Sequence, residues 1–245
     1  MDWLEDKIIN IIASKFLHVE NKKYPGIHIL FEGPEGGGKS THIQLLKEYL
    51  FKVKGIPCEL GREPGGVPVS EALRKDVLNS DYEGTLPLTV MFGMLGARVQ
   101  YFNDKVKPNI EAGSIHLSDR GKLSTHAYQG GAGGVDYRII ELCDRIARQG
   151  IPYDLSLVLY KKDMAQALQE ARTSKKEEGL GKNGDVMENQ PLTFHNKVLE
   201  SYLKLAKRNP DKIILLETSG SIEENQEKIR KHIDKIINKH YTRTL

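Results

Sequence analysis

The sequence predicts an α/β fold in which a mostly parallel sheet carries helices on both faces. Short apolar runs of strand length alternate with longer segments whose apolar residues recur at helical spacing. A glycine-rich loop follows the first of these runs, and a carboxylate closes a later one. Strands that alternate with helices are typical of a parallel sheet, because each parallel connection needs a crossover segment.

The predicted strands are short, apolar and bounded by polar or glycine-containing turns. The first, IHILFEG, runs into the glycine-rich loop, and SIHLSD ends at Asp119. Ligands of such sheets bind beyond the carboxyl ends of the strands, so the loop and Asp119 are expected at one edge. The predicted strands lie at 27–33, about 58–61, 114–119, 154–160 and 212–217.

The predicted helices follow the apolar spacing and end at glycine or proline signals. Gly55 marks the end of the first helix, and Pro108 is expected to break the third. Residues 174–190 are polar and glycine-rich, which predicts an irregular segment. The predicted helices lie at 39–54, 69–79, 86–112, 136–149, 164–173, 191–208 and 222–240.

Residues 1–26 are expected to stand apart from one domain that spans residues 27–245. Their apolar residues recur at helical spacing ahead of a polar turn, which predicts one amphipathic helix that packs on the body or on a partner. These apolar residues are Leu4, Ile8, Ile11, Ile12 and Phe16.

The composition argues against several classes of protein. Lysine and arginine exceed aspartate and glutamate by 36 to 33, and a net charge of +3 gives no reason to expect a nucleic-acid or membrane partner. No apolar run approaches the ~18 residues of a membrane span. Cys58 and Cys143 lie far apart without metal-ligand spacing, which fits buried thiols in the reducing cytoplasm, the expected location.

The segment GPEGGGKS, residues 33–40, fits the phosphate-loop pattern G-x-x-x-x-G-K-[ST]. Glycines let backbone N–H groups surround a phosphate, and the following helix presents its positive end to the anion. Lys39 is expected to reach the β- and γ-phosphates of ATP. The predicted ATP-binding residues are Gly33, Pro34, Glu35, Gly36, Gly37, Gly38, Lys39, Ser40 and Thr41.

Ser40 and Asp119 form the predicted metal site. The Ser40 hydroxyl can ligate Mg²⁺ directly, and a carboxylate at the end of the strand 114–119 can hold the water shell of the ion. A strand-end aspartate also occurs as a helix cap, so its pairing with the loop is what favours the metal role. We therefore expect Mg²⁺ together with ATP.

Four arginines next to turns predict a second anion opposite the triphosphate: Arg62, Arg74, Arg98 and Arg120. Guanidinium groups match phosphate oxygens with two parallel hydrogen bonds. If the acceptor is itself a phosphate, no general base is needed, because a phosphate dianion is already a nucleophile at neutral pH. Positioning and charge neutralisation then carry catalysis. The chain also lacks the Asn-Lys-x-Asp motif of guanine-binding proteins.

These segments together resemble the thymidylate kinase family over about residues 27–235. The resemblance is carried by the glycine-rich loop and by REPGGVPVSEALR, ARVQ, SDRGKLSTHAYQGG and DVMENQPLTFHNKVLESYLKLA, in the family's order and approximate spacing. It implies a P-loop nucleoside-monophosphate kinase fold with a lid segment at about 174–190. It also implies ATP and dTMP as substrates, Mg²⁺ as cofactor and a homodimer.

The resemblance implies a role for each matching residue of the acceptor site. Glu35 would face the 3′-hydroxyl of dTMP, and three of the arginines would approach its phosphate. Arg98 and Thr125 would contact thymine, and Tyr128 would lie against the deoxyribose. Met94 stands where the family usually has a phenylalanine that stacks on thymine. The implied dTMP-binding residues are Glu35, Arg62, Arg74, Met94, Arg98, Arg120, Thr125, Tyr128 and Gln129.

The catalytic arginine is expected in the lid. Members of the family carry it either in the phosphate loop or in the lid, and this loop has no basic residue before Lys39. Arg172 stands at the entrance of the lid, while Val186 occupies a position where relatives commonly have arginine. The implied catalytic residues are Lys39, Arg120, Arg172 and Glu35.

The expected reaction is the transfer of the γ-phosphate of ATP to dTMP, which gives dTDP. Met94 leaves open a related pyrimidine nucleoside-monophosphate kinase with altered base choice, for example toward dUMP. The arginine-poor lid leaves open a nucleotide-binding homologue with little transfer activity.

Overall fold

A five-stranded parallel sheet forms the centre of the fold in a computed structural model. The structure describes residues 7–8, 11–12, 23–78, 84–177, 186–187 and 189–241. Most of the predicted N-terminal extension and of the lid lies outside these residues. Residues 7–8 and 11–12 are helical, and the domain boundary at 26/27 stays a prediction.

The order of the strands is β2-β3-β1-β4-β5, and every neighbouring pair is parallel. The prediction of a parallel sheet is confirmed. β1 is central between β3 and β4, so its carboxyl end meets theirs at one edge of the sheet. The strands are β1 Ile27–Glu32, β2 Cys58–Arg62, β3 Ile115–Asp119, β4 Leu155–Tyr160 and β5 Ile213–Glu217.

Helices cover both faces of the sheet, as predicted. On one face, α1 and α9 bury an aliphatic cluster that includes Ile29, Leu46 and Ile233. Further apolar clusters are formed by side chains of α3, α4 and α8, such as Tyr101, Ile110 and Val198. The helices are α1 Lys39–Lys52, α2 Pro68–Val77, α3 Pro87–Tyr101, α4 Lys107–Glu111, α5 Lys122–Thr125, α6 Tyr137–Ala147, α7 Met164–Glu177, α8 Leu192–Arg208 and α9 Ile222–Tyr241.

The expected break at Pro108 is wrong. A π-helical segment, Phe102–Val106, joins α3 to α4, so the chain stays helical from Pro87 to Glu111. Lys107 N–H donates to the Phe102 carbonyl, five residues back. The wider π turn accommodates Pro108, which lacks an N–H and would clash with the preceding turn of a regular α-helix.

Three other helical segments differ from the sequence prediction. α5 and the π-helical segment His126–Ala132 that follows it had not been predicted. α7 continues to Glu177, four residues into the segment assigned to the lid. The hydroxyls of Thr173 and Ser174 donate to the carbonyls of Gln169 and Glu170, which satisfies these polar residues inside a helix.

Among the described helices, none combines the length and apolar character needed to cross a membrane.

Candidate active site

The predicted phosphate loop forms the turn between β1 and α1. Gly33, Gly36 and Gly38 have φ angles of 126°, 73° and 78°, a range that L side chains rarely enter. Space also excludes side chains, because a Cβ at Gly33 would lie 2.1 Å from the Leu159 carbonyl oxygen. α1 begins with no side-chain cap and no acid in its first turn among the described residues, so its first N–H groups suit an anion.

Lys39 lies inside the loop. It is 8% exposed, and its Nζ donates to the Pro34 carbonyl oxygen at 2.7 Å. Burial, followed by the positive charge of Arg120, lowers the pKa of Lys39 to about 7, against the opposing charges of Asp119 and Glu35. Lys39 can therefore take up a proton when a triphosphate occupies the loop.

The predicted metal pair, Ser40 and Asp119, meets at the edge of the sheet. Phe31 of β1 is in register with Asp119 of β3, and Ser40 Oγ donates to Asp119 Oδ2 at 3.2 Å. Hydroxyl and carboxylate oxygens are ligands that Mg²⁺ prefers. The described part of the chain holds no group of three or more His, Cys, Asp or Glu residues able to bind a metal. A magnesium ion at this pair would therefore draw its other ligands from phosphate and water.

Arg120 lies beside the phosphate loop, and hydrogen bonds to backbone carbonyls fix both its main chain and its guanidinium group. Its φ is 70°, and its N–H donates to the Phe31 carbonyl at 2.8 Å. Nη1 donates to the Gly33 carbonyl at 3.1 Å and to Ser124 Oγ at 3.3 Å, and the guanidinium lies 5.3 Å from the Tyr128 ring centre. No ion pair within the described ranges joins Arg120 to a carboxylate, so its charge is available to a phosphate.

Arg62 and Arg74 are fixed around the segment that follows β2. Arg62 Nη2 donates to both carboxylate oxygens of Glu71, at 2.9 and 2.8 Å. Arg74 Nη1 donates to the Pro64 carbonyl at 3.1 Å. Because Arg62 is in register with Asp119, the structure brings these arginines to the edge of the sheet that carries the phosphate loop.

Arg98 is almost fully buried and is bonded at three nitrogens. Nε donates to Glu63, Nη1 to Asp144 Oδ1 at 2.9 Å and Nη2 to Thr125 Oγ1 at 3.2 Å. Met94, half-buried, lies one turn earlier on α3. The structure thus brings together Arg98 and Thr125, the two residues predicted to contact the base. The sequence pattern gave no sign of the carboxylate partners Glu63 and Asp144.

Tyr128 and Gln129 lie on the π-helical segment after α5 and are both buried, at 8% and 2% exposed. The Tyr128 ring packs edge-on against Phe194, with the ring centres 6.1 Å apart. Gln129 Oε1 has no hydrogen-bond partner among the described residues. A buried acceptor without a partner suits a ligand that donates to it.

Two residues that the sequence analysis missed support the loop and α5. Glu32, fully buried, accepts hydrogen bonds from Leu123 N–H at 2.9 Å and Ser124 Oγ at 2.6 Å, and so holds the start of α5. Thr218 Oγ1 donates to the Gly37 carbonyl at 3.2 Å. The available signal for Glu32 was an acid at the end of an otherwise apolar strand.

Arg172 is exposed on α7, the helix that contacts the phosphate loop at Ala167. The Ala167 carbonyl is packed so tightly on Gly36 that a Cβ there would lie 2.2 Å from it. Arg172 follows Ala167 by five residues, which is about 7.5 Å along a helix axis. Near the far end of the predicted lid, Val186 N–H donates to the Leu78 carbonyl at 3.1 Å.

Fold and site together define a P-loop kinase of the nucleoside-monophosphate kinase type. The model of the thymidylate kinase family matches residues 31–229. The chain belongs to the thymidylate kinase family. The resemblance expected from the sequence motifs is confirmed.

The relatives and a solved structure agree with this assignment. The chain is 35% identical over 204 residues to the thymidylate kinase of Pelobacter propionicus, covering 83% of this chain and 92% of the relative. It is 31% identical over 211 residues to that of Symbiobacterium thermophilum, covering 86% and 94%. The crystal structure of thymidylate kinase from Ehrlichia chaffeensis superposes with a TM-score of 0.68 at 24% identity, covering 85% of this chain and 98% of that one. This similarity confirms the fold.

Proposed function

We propose that the protein transfers the γ-phosphate of ATP to dTMP in a Mg²⁺-dependent reaction that yields ADP and dTDP. The observation that carries the proposal is a convergence at one edge of the sheet. A phosphate loop with a buried lysine lies there beside the Ser40–Asp119 pair. Arg120, which has no carboxylate ion pair among the described residues, adjoins the same loop. Membership of the thymidylate kinase family supports the choice of substrates.

In the proposed reaction the protein positions two anions and neutralises the charge between them. Loop N–H groups and Lys39 hold the triphosphate. Ser40 and Asp119 would hold Mg²⁺, which would supply positive charge beside the phosphates. Arg120 contacts the dTMP phosphate, with Arg62 and Arg74 beside it. The acceptor dianion attacks without a general base.

The proposed base and sugar site lies between α3 and the helical segment after α5. Arg98 and Thr125 contact thymine, with Met94 in the stacking position. Tyr128 lies against the deoxyribose, Gln129 sits beside it, and Glu35 of the loop faces the 3′-hydroxyl.

We propose Arg172 as the residue that neutralises the transferring phosphoryl group, with residues 174–190 as the lid over ATP and 27–245 as the kinase domain. The tight packing of Ala167 on Gly36 supports this role, because it places the start of α7, the helix that carries Arg172, against the phosphate loop. A closed lid excludes water and limits the hydrolysis of ATP.

A panel of nucleoside monophosphates tests the proposed reaction. With ATP and Mg²⁺, we expect dTMP to give a higher kcat/KM than dUMP, dCMP, dGMP or dAMP. The rate of diphosphate formation is measured for each acceptor. Half-buried Met94 favours one second candidate, a pyrimidine nucleoside-monophosphate kinase with altered base choice, which predicts that dUMP or another pyrimidine monophosphate gives a higher kcat/KM than dTMP. Tight ATP binding without dTDP formation would instead indicate a nucleotide-binding protein.

We also propose a homodimer, formed through an apolar stripe on α3. Leu88, Phe92 and Val99 lie on one face of this helix and are 42%, 55% and 40% exposed. Exposed apolar side chains in one stripe are typical of an interface. Light scattering should give the mass of a dimer for the parent and of a monomer for Phe92→Glu. A monomeric parent would contradict the proposal.

The two cysteines fit the cytoplasm, which we propose as the compartment. Cys58 and Cys143 are both free thiols, as expected in a reducing environment.

A further inference from the structure

Arg98 belongs to a buried row of four charged side chains that alternate in sign. Glu63 accepts from Arg98, Arg98 donates to Asp144, and Asp144 Oδ2 accepts from Arg148 Nε at 3.0 Å. Their side chains are 3%, 3%, 0% and 10% exposed along this row. When all four side chains are ionised, two carboxylates and two guanidinium groups leave the row without net charge, which suits a buried site.

Three elements fix the plane of the Arg98 guanidinium. Glu63 follows β2, Thr125 ends α5 and Asp144 lies on α6, and each accepts from a different nitrogen. A guanidinium has five N–H groups, so these three bonds leave two, one each on Nη1 and Nη2. Once the plane is fixed, the directions of these two donors are fixed as well.

Among the three acceptors, Asp144 is held by the largest number of hydrogen bonds from neighbouring side chains. Tyr153 Oη donates to its Oδ1 at 3.1 Å, and Arg148, which bonds Oδ2, also donates to the Ile151 carbonyl. Burial alone would raise the pKa of Asp144, but the charges of Arg98 and Arg148 outweigh it and hold the pKa below its ordinary value. Asp144 is therefore a rigid, ionised acceptor.

The compensated charge of Arg98 suits a neutral partner better than a phosphate. Arg120, by contrast, has no carboxylate ion pair in the described part of the chain and keeps its charge for an anion. A neutral pyrimidine that carries a carbonyl at C4 can accept from a fixed N–H, whereas a C4 amino group presents a second donor and is rejected.

We propose that Asp144 is a positioning residue that orients Arg98 and thereby sets the preference for a C4 carbonyl over a C4 amino group on the acceptor base. The proposal rests on the proposed function, in which Arg98 contacts thymine. Asp144 acts through Arg98 alone and touches no substrate itself.

The test compares dTMP with 5-methyl-dCMP, which carries an amino group at C4 in place of the carbonyl. Asp144→Asn should lower the ratio of kcat/KM for dTMP over 5-methyl-dCMP by about tenfold or more, because a poorly oriented donor loses a charge-assisted hydrogen bond. The KM for ATP should not change. The matched control is Glu141→Gln on the same helix, whose carboxylate pairs with Lys122 at 2.6 Å and not with Arg98. Its ratio should equal that of the parent.

A charge-balanced double variant keeps the test valid if Asp144→Asn fails to fold. Asp144→Asn leaves a buried positive charge without its partner, whereas Asp144→Asn with Arg148→Met keeps the row neutral and should fold. It should show the same loss of preference. Combining Asp144→Asn with Arg98→Met should lower the ratio no further than Arg98→Met alone.

The outcomes separate the two proposals. An unchanged ratio in Asp144→Asn and in the charge-balanced variant overturns the positioning role. An unchanged ratio in Arg98→Met overturns the proposed contact between Arg98 and the base, whatever Asp144 does.

Discussion

Lys39 shows how the environment of one side chain changes its chemistry. A lysine in water holds its proton firmly at neutral pH. Inside the phosphate loop, burial and the neighbouring Arg120 bring the pKa of Lys39 to about 7. The same burial strengthens its interaction with a bound polyphosphate, because the interior screens charge less than water does. A residue poised in this way couples ATP binding to pH.

We expect ATP binding at pH 8 to take up a proton. With a pKa of about 7, Lys39 is mostly neutral before binding, and the triphosphate raises its pKa again. Calorimetry in buffers of different ionisation enthalpy should therefore show a net uptake of up to about one proton per ATP. Lys39→Met should show no such uptake and should abolish transfer. Equal proton uptake by this variant would place the titrating group elsewhere.

Arg172→Ala should lower kcat by about 10²-fold or more with little change in dTMP affinity. The expected size follows from the loss of an arginine that acts on the transferring phosphoryl group. Thr173→Ala, the adjacent exposed position on α7, serves as the control and should keep the parent rate. Steady-state kinetics with dissociation constants for dTMP give both quantities. An unchanged kcat would move the role to a lysine of the lid.

At the scale of residues, the sequence predicts contacts that a motif implies and misses those between distant segments. Ser40 and Asp119 could be paired in advance because a phosphate loop and a strand-end carboxylate share one edge of a parallel sheet. Asp144 could not be linked to Arg98, because it lies on an amphipathic helix where an aspartate is ordinarily a solvent-facing residue. Only the packing of α6 on α3 shows that it is buried.

At the scale of elements, the phosphate loop and α7 depend on one close contact. The Ala167 carbonyl oxygen lies 2.2 Å from the position that a Cβ at residue 36 would take, which is too close for any residue other than glycine. A change in the loop therefore displaces α7, which leads into the proposed lid. The boundaries of helices were predicted to within a few residues, but the two π-helical segments were not, because their wider turns depend on tertiary packing and leave no periodic signal.

Gly36→Ala should cost more stability than Gly55→Ala and should weaken ATP binding. Both glycines have positive φ, 73° and 65°, so both substitutions carry the left-handed backbone cost of about 1–2 kcal/mol. Only Gly36 adds a clash, since nothing lies within 4 Å of a Cβ at Gly55. Urea unfolding and ATP titration of the two variants should separate these costs. Equal losses of stability would show that α7 moves aside without cost.

At the scale of the whole molecule, several ionisable side chains are buried as neutral groups. Burial lowers the pKa of His116 and of His126 to about 4, and it lowers the pKa of His28 as well. The unfolded chain binds protons at these histidines first, so their contribution to stability falls as the pH drops from about 6.5 toward 4. Buried Glu63, whose pKa is raised to about 7, titrates in the opposite sense.

His126→Gln should reduce the loss of stability between pH 7.5 and pH 5. Removing one histidine with a folded pKa of about 4 should recover about 2 kcal/mol of that loss. The comparison with the parent cancels the contribution of Glu63. Urea unfolding at the two pH values measures the effect, with His240→Gln, at a partly exposed histidine, as the control. A pH dependence identical to that of the parent would show that His126 is protonated without cost.

The position of β1 in the sheet has a consequence for synthesis on the ribosome. β1 is the first strand to be made, yet both of its neighbours, β3 and β4, come more than 80 residues later in the chain. A nascent chain that has emerged through α3 carries the whole phosphate loop but neither strand that aligns it. We expect ATP to protect ribosome-bound chains from protease only once β4 has left the exit tunnel, so the nucleotide can assist only the last stage of folding.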